Sequence, residues 1–155
     1  MRGASVTPSQ GVFETERFNS LRKLSFFAEF TDADLWEVVR FSEWLDVPKD
    51  TVILAEGDKG DYFCILVNGA AKVSRKRRTI GTIPAGECIG EMACLGEPGG
   101  VRSADVTSTS DVRMLKITTA AYKKASDTCR IRFERMFLRL LVDRLKQANA
   151  KLVMI

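Results

Sequence analysis

The feature that most constrains the fold is an alternation of short hydrophobic segments with turn sequences between residues 47 and 118. The segments are rich in Val, Ile and Phe, and a turn sequence follows about every eight to fifteen residues. The turn sequences are Pro48-Lys49-Asp50, Glu56-Gly57-Asp58, Asn68-Gly69, Pro84-Ala85-Gly86 and Thr109-Ser110-Asp111. Short strands joined by regularly spaced turns are typical of an all-β barrel or sandwich, so we predict that residues 47–118 form one.

Both flanks of this region follow a helical periodicity instead. In residues 14–46, Phe18, Leu21 and Leu24 share one helical face, so we expect N-terminal helices, broken into two near Phe30. Residues 1–13 contain Ser, Pro, Gln and Gly and are expected to form a flexible tail. Residues 119–155 are predicted to form C-terminal helices. The chain is therefore predicted to be one domain, mainly β with flanking helices.

The last region carries a repeat with alternating spacings of three and four residues, which is the pattern of a coiled-coil seam. Its members are Ile131, Glu134, Leu138, Leu141, Leu145, Ala148, Leu152 and Ile155. This repeat favours a homodimer that forms through the C-terminal helix. The alternative is a single helix that packs its apolar stripe on the barrel, a role that Phe133, Met136 and Phe137 would also serve.

Composition excludes several classes of protein. The sequence is 45% hydrophobic and 28% charged, as in an ordinary globular domain, and its longest strictly apolar run is Tyr62–Val67. We therefore expect no membrane segment. The N-terminus has no apolar stretch of signal-peptide length, so a cytoplasmic location is expected.

Cysteine and histidine usage favours a binding module over an enzyme. None of the four cysteines lies in a C-x-x-C pair and the chain contains no histidine, so buried free thiols are expected rather than a metal site. No constellation of residues supports catalysis, and no cofactor is expected. The net charge is only +4, and its sharpest basic cluster, residues 75–78, is expected in a solvated hairpin turn rather than in a nucleic-acid interface.

The segment GECIGEMACLGEPGGVRSADV, residues 86–106, concentrates the chemistry of the chain. Gly90 permits a positive φ and a close approach by a ligand, and the residues after it can form a helical turn with free N–H groups. Arg102 offers a planar set of donors that matches a phosphate. A phosphate would repel Glu91, so this acid suits a neutral ribose hydroxyl of the same ligand, which points to a nucleotide. The alternative is a surface loop in which Glu91 and Arg102 pair or face solvent.

These residues resemble a known family. Gly90-Glu91-Met92-Ala93 and Arg102-Ser103-Ala104-Asp105-Val106 resemble the phosphate-binding cassette of cyclic nucleotide-binding domains. The stretches Ile53–Asp58 and Asp61–Gly69 are similar to the family's earlier strands, and the resemblance extends over about residues 20–150. The serine after the arginine and the long C-terminal helix are similar to the sensor half of bacterial catabolite activators.

The resemblance implies a jelly-roll-like β-barrel with N-terminal helices and a long C-terminal helix. It also implies that Glu91 binds the ribose 2′-hydroxyl, that Arg102 binds the exocyclic phosphate oxygens, and that Ser103 binds the phosphate or the base. The remaining residues expected to line the ligand are Gly90, Met92, Ala93, Cys94 and Ala104. Cyclic AMP is favoured over cyclic GMP as the ligand.

The C-terminal helix is implied to act as a lid over the base and as the dimer contact. The polar candidates for the lid are Arg132, Arg135, Arg139 and Asn149, and the stacking candidates are Phe133 and Phe137. We expect a regulatory module that transmits binding through this helix to an unknown downstream protein. The alternative is an interaction scaffold with a non-functional pocket. Because the sequence stops at Ile155, inside the repeat, direct DNA binding is not expected.

Overall fold

A computed structural model describes residues 6–9, 13–91 and 101–153 of the chain. The fold is mainly β with flanking helices, as the sequence predicts. The helices are α1 (Glu14–Arg22), α2 (Asp32–Phe41), α3 (Thr119–Lys124) and α4 (Asp127–Val153), with a 3-10 turn at Ser25–Phe27. The strands are β1 (Thr7–Pro8), β2 (Glu43–Val47), β3 (Val52–Leu54), β4 (Tyr62–Asn68), β5 (Ala71–Arg75), β6 (Arg78–Ile83), β7 (Cys88–Ile89), β8 (Asp105–Ser108) and β9 (Val112–Thr118).

The strands form two antiparallel sheets. One has five strands in the order β1-β2-β9-β4-β7, and the other has four in the order β3-β8-β5-β6. In the first sheet, Tyr62 lies opposite Thr118 and Ile65 lies opposite Leu115, which places β4 and β9 at the centre. Neighbouring residues of β9 are buried on opposite faces, since Met114 lies in one core cluster and Leu115 lies in the other. Each face of this sheet therefore covers its own hydrophobic core.

The N-terminal helices break where the sequence predicts. The 3-10 turn and residues up to Phe30 separate α1 from α2. Helix α2 begins with a capping box, because the Asp34 N–H donates to Thr31 Oγ1 at 3.2 Å and the Thr31 N–H donates to Asp34 Oδ2 at 3.1 Å.

The predicted boundary between helices and strands was wrong by a few residues. Strand β2 begins at Glu43 rather than at residue 47, because its backbone pairs with β9 along its whole length and both Trp44 and Leu45 are buried. Part of the predicted flexible tail is also ordered. Thr7 and Pro8 pair with β2 as an edge strand, the position where a proline is tolerated.

Aromatic packing fixes the long helix against the five-stranded sheet. Phe133 and Phe137 of α4 are fully buried, and their ring centroids lie 5.7 and 5.3 Å from that of Phe63 on β4. The cluster also includes Phe26, Phe27, Phe30 and Tyr122. At the start of α4, the Ser126 hydroxyl donates to Glu37 Oε2 at 2.8 Å, which joins this end of the helix to α2.

Two minor expectations are confirmed within the described residues. Lys76 and Arg77 have positive φ in the exposed turn between β5 and β6, so the basic cluster is a hairpin turn. Cys64 and Cys129 are buried free thiols, Cys88 is buried as well, and burial raises the pKa of Cys64 and Cys129 to about 12. Cys94 lies outside the described residues. No described helix combines the length and the hydrophobicity that crossing a bilayer requires.

The aromatic cluster predicts that alanine substitutions at two apolar residues of α4 lower stability by very different amounts. Replacing Phe133 with alanine should lower the free energy of unfolding by about 3 to 5 kcal/mol, because it leaves a cavity among fixed rings. Val142→Ala is the matched control, since this residue is 44% exposed, lies outside the heptad repeat and should change stability by less than about 0.5 kcal/mol. Urea unfolding of both variants measures the difference, and equal effects would contradict the assignment of Phe133 to the core.

Candidate functional site

A cavity of about 750 Å³ lies between the four-stranded sheet and the second half of α4. Its apolar wall comes from Leu54, Val73, Ile83, Ile89 and Val106, which belong to five different strands. Its polar lining is Thr82, Glu87, Glu91, Arg102, Ser103, Asp143, Arg144 and Gln147. A concave cavity that combines apolar walls with convergent polar groups is the usual form of a small-molecule site.

The cavity brings together five of the eight residues expected to contact a ligand. These are Gly90, Glu91, Arg102, Ser103 and Ala104. Met92, Ala93 and Cys94 lie outside the described residues. The expected set therefore meets at one place as far as the structure describes it, and each residue's role toward a ligand stays a prediction.

Arg102 is held in the wall of the cavity by main-chain carbonyls. Its Nη1 donates to the Gly90 carbonyl at 3.0 Å and its Nη2 donates to the Tyr62 carbonyl, while the guanidinium carbon lies 5.0 Å from the centre of the Tyr62 ring. The residue is only 9% exposed. Since both partners are neutral, the arginine keeps its full charge, and the two bonds use two of its five N–H donors. The remaining N–H groups of Arg102 can donate to an anion.

Glu91 has a different partner. Its side chain is only 1% exposed, and Nη1 of Arg144 on α4 donates to Oε1 of its carboxylate. Nη2 of Arg144 also donates to the Cys88 carbonyl at 3.3 Å. A buried carboxylate needs a cation or several donors, and here the cation comes from the long helix. The expected alternative, a loop in which Glu91 pairs with Arg102 or faces solvent, does not match these contacts.

The six residues expected to form a lid do not line the cavity. Phe133 and Phe137 lie in the aromatic core and not in the lining of the cavity. Arg132 lies 3.9 Å from Asp34, and Arg139 donates to Glu29 at 2.8 Å. Arg135 and Asn149 are exposed. None of the six therefore reaches the cavity in this arrangement, and their role as a lid toward a ligand stays a prediction.

The pitch of the helix explains which residues of α4 line the cavity. Residues 133, 137, 140, 144 and 147 follow one another at spacings of three and four, so they lie on one face of α4. The first two reach the aromatic core, whereas Leu140, Arg144 and Gln147 reach the cavity. Extending the stripe from Phe133 and Phe137 along the same face would have found Arg144 from the sequence.

A second cleft, of about 530 Å³, has charged groups that already pair with each other. Arg113 donates to the two carboxylate oxygens of Asp46 at 2.8 and 3.3 Å, and this bond lowers the pKa of Asp46. The Lys49 N–H donates to Asp111 at 3.0 Å. In this cleft the charge of the arginine is already balanced by a carboxylate, whereas the hydrogen-bond partners of Arg102 in the larger cavity are neutral carbonyls.

The comparisons with known proteins agree with this fold. The profile of the cyclic nucleotide-binding domain matches residues 44–128, which is more than half of the chain. The chain belongs to this family. The matched range includes both sheets from Trp44 onward, and it contains Glu91 and Arg102. It ends just after α4 begins, so the contact from Arg144 lies outside the matched range.

Individual relatives share the fold and part of the sequence. The chain is 33% identical over 104 residues to the Pycsar effector protein PaPycTIR of Pseudomonas aeruginosa, a match that covers 67% of this chain and 33% of that protein. The chain thus spans about a third of that relative. A cyclic nucleotide-binding domain from Methylobacillus flagellatus is similar with a TM-score of 0.80 and 21% identity, over 96% of this chain and 88% of the other. The catabolite activator protein of Thermus thermophilus is similar with a TM-score of 0.70 and 22% identity, over 83% and 62%.

The Glu91–Arg144 contact predicts a loss of stability without any ligand. Arg144→Ala should lower the free energy of unfolding by about 1 to 3 kcal/mol, because it leaves a buried carboxylate without its donor. Lys146→Ala is the control, since Lys146 is an exposed cation two residues away on the same helix. Chemical denaturation of both variants makes the comparison. Adding Glu91→Gln should remove most of the difference, and an Arg144→Ala variant as stable as the control would contradict the buried pair.

Proposed function

We propose that the chain is a sensor that binds a 3′,5′-cyclic nucleotide in the larger cavity and passes the binding event to a partner through α4. The observation that carries this proposal is the presence of Arg102 and Glu91 in one cavity with apolar walls, each held by a different partner, with α4 along one side. The two sheets would act together as a jelly-roll barrel that encloses the nucleotide.

The phosphate would bind at Arg102. The cyclic phosphate carries one negative charge, and a guanidinium with uncommitted N–H groups forms charge-assisted hydrogen bonds with its oxygens. Burial at 9% exposure strengthens such bonds, because water competes less for the arginine. The hydroxyl of Ser103, which also lines the cavity, would donate to the same phosphate.

The ribose would bind at Glu91. Arg144 bonds to Oε1 of this carboxylate, and the second oxygen offers further acceptor capacity for a 2′-hydroxyl. The ligand and Arg144 would then share one buried acid. This arrangement gives the ligand a direct connection to α4 through a single side chain.

We favour adenine as the base. Gln147 and Asp143 line the cavity from α4, on the side where the base would meet the helix. A glutamine amide pairs with the N6 and N7 atoms of adenine through one acceptor and one donor, and a carboxylate accepts from an exocyclic amine. Cyclic AMP would therefore bind more tightly than cyclic GMP.

The output would pass along α4 to a second chain. Its outer face exposes a row of apolar side chains that includes Ile131, Leu138, Leu145 and Leu152. Such a row at heptad spacing suits pairing with the same helix of another copy, and the dimer would present a surface to a downstream protein. The exposed row also favours a second candidate function, an interaction scaffold that does not use its cavity.

A titration separates these two functions. Calorimetry with cyclic AMP, cyclic GMP, cyclic CMP and cyclic UMP should show binding, tightest for cyclic AMP, and ligand at one hundred times its dissociation constant should stabilise the fold by about 2.7 kcal/mol. Arg102→Ala should weaken binding at least about tenfold, because the phosphate loses its counter-charge. Arg135→Ala, which removes an exposed arginine, is the control. A wild-type protein that binds none of the four would favour the scaffold.

If α4 is both a wall of the cavity and the dimer seam, binding and association are coupled. Leu141→Asp and Leu145→Asp should each give monomers and should shift nucleotide affinity by about 1 to 3 kcal/mol. Asn149→Asp adds the same charge at an exposed position of the helix and should change neither property. Sedimentation and titration of the same samples test this. Monomeric wild-type protein at high concentration would reject the seam, and a monomeric variant with unchanged affinity would reject the coupling.

A further inference from the structure

Arg102 approaches one position of the main chain so closely that a side chain there would collide with it. A Cβ atom built on Gly60 would lie 2.1 Å from both Cζ and Nε of Arg102 and 2.3 Å from Nη2. Real Cβ atoms essentially never show contacts this short, so the guanidinium lies directly over the Gly60 backbone and would have to move if this position carried a side chain. Gly60 is buried, and its φ is not in the left-handed region that would itself require glycine.

The segment that contains Gly60 also holds the main chain of Arg102. The Arg102 N–H donates to the Asp58 carbonyl at 2.8 Å, and the Gly57 N–H donates to the Arg102 carbonyl at 2.9 Å. Lys59 and Val101 form an antiparallel bridge next to these bonds. The start of the arginine side chain is thereby fixed beside Gly60.

Tyr62 contacts the other end of the side chain in two ways. Its carbonyl accepts from Nη2, and its ring lies under the guanidinium at 5.0 Å from Cζ. The ring is itself fixed, because it is 9% exposed and the Lys116 ammonium lies 4.6 Å from its centre. Burial raises the pKa of Tyr62 to about 12, so the phenol is neutral at physiological pH and adds no charge beside Arg102.

We infer that Gly60 and Tyr62 are positioning residues for Arg102, and that their role is to hold the guanidinium in its phosphate-binding pose before a ligand arrives. This inference rests on the proposed function. A free arginine side chain has many rotamers and loses that freedom when it binds a phosphate. Arg102 is already fixed over Gly60 and the Tyr62 ring and by two carbonyls. It has therefore lost its rotamer freedom before the ligand arrives, which favours binding.

The test substitutes Gly60 and compares it with a matched glycine. Gly60→Ala should raise the dissociation constant at least about tenfold, for whichever of the four cyclic nucleotides binds wild type most tightly, because the methyl group displaces the guanidinium. Gly81→Ala is the control, since a Cβ there meets no atom within 4 Å and the φ is not left-handed. A folded Gly60→Ala variant with the affinity of the control would overturn the inference.

A cycle with Arg102→Ala separates positioning from a general structural effect. Gly60→Ala should lower the melting temperature when Arg102 is present and should lower it much less in an Arg102→Ala background, because the atoms that it meets are then absent. Equal losses in the two backgrounds would overturn the inference. This measurement needs no ligand, so it gives an answer even if the titration rejects nucleotide binding.

Two substitutions at Tyr62 complete the test. Tyr62→Phe keeps the ring and the carbonyl and should bind nucleotide within about twofold of wild type. Tyr62→Leu keeps the carbonyl but removes the ring, and it should weaken binding more than Tyr62→Phe does. Equal affinities of the two variants would remove the ring from the inference.

Discussion

The packing of Phe133 and Phe137 into the aromatic core is the constraint on which the site depends. These rings anchor α4 against the five-stranded sheet and therefore set both its direction and its rotation. Once they are fixed, the helical pitch places Leu140, Arg144 and Gln147 at the cavity and turns Leu138 and Leu145 outward. One face of one helix thus contributes to the core, to the cavity wall and to the neutralisation of Glu91.

The cavity keeps an acid and an arginine available because they do not neutralise each other within the described residues. Neutral carbonyls hold Arg102, whereas a cation from α4 balances Glu91. Direct pairing of Glu91 with Arg102 would consume the charge that a phosphate requires. Because the two charged residues have separate partners, the cavity suits a ligand with an anionic part and a hydroxyl-bearing part. The only ion pair of the cavity among the described residues joins Glu91 to Arg144 on α4.

Much of the fold was predictable because its signals are local. Turn sequences at Asn68-Gly69 and Pro84-Ala85-Gly86 delimit strands, and the helix break near Phe30 follows from the capping residues of α2. The start of β2 was missed because Glu43-Trp44-Leu45 has no turn before it, and its strand conformation depends on pairing with β9, about seventy residues away in sequence. The residues of α4 that line the cavity were not predicted, because a periodic stripe does not show which part of the fold each turn of a helix contacts.

By itself, the sequence determined the class of the domain and which charged residues are the candidates for ligand binding. These features are visible in the composition or in short stretches of the sequence. They are the absence of histidine, the spacing of turns, and the adjacent residues Gly90-Glu91 and Arg102-Ser103. Only the tertiary structure decided which residues balance the charges. Arg144 reaches Glu91 across 53 positions of the sequence, and Gly60, in the connection before β4, lies against Arg102, in the connection before β8. Such contacts depend on how the sheets and α4 pack together, and no local periodicity encodes that arrangement.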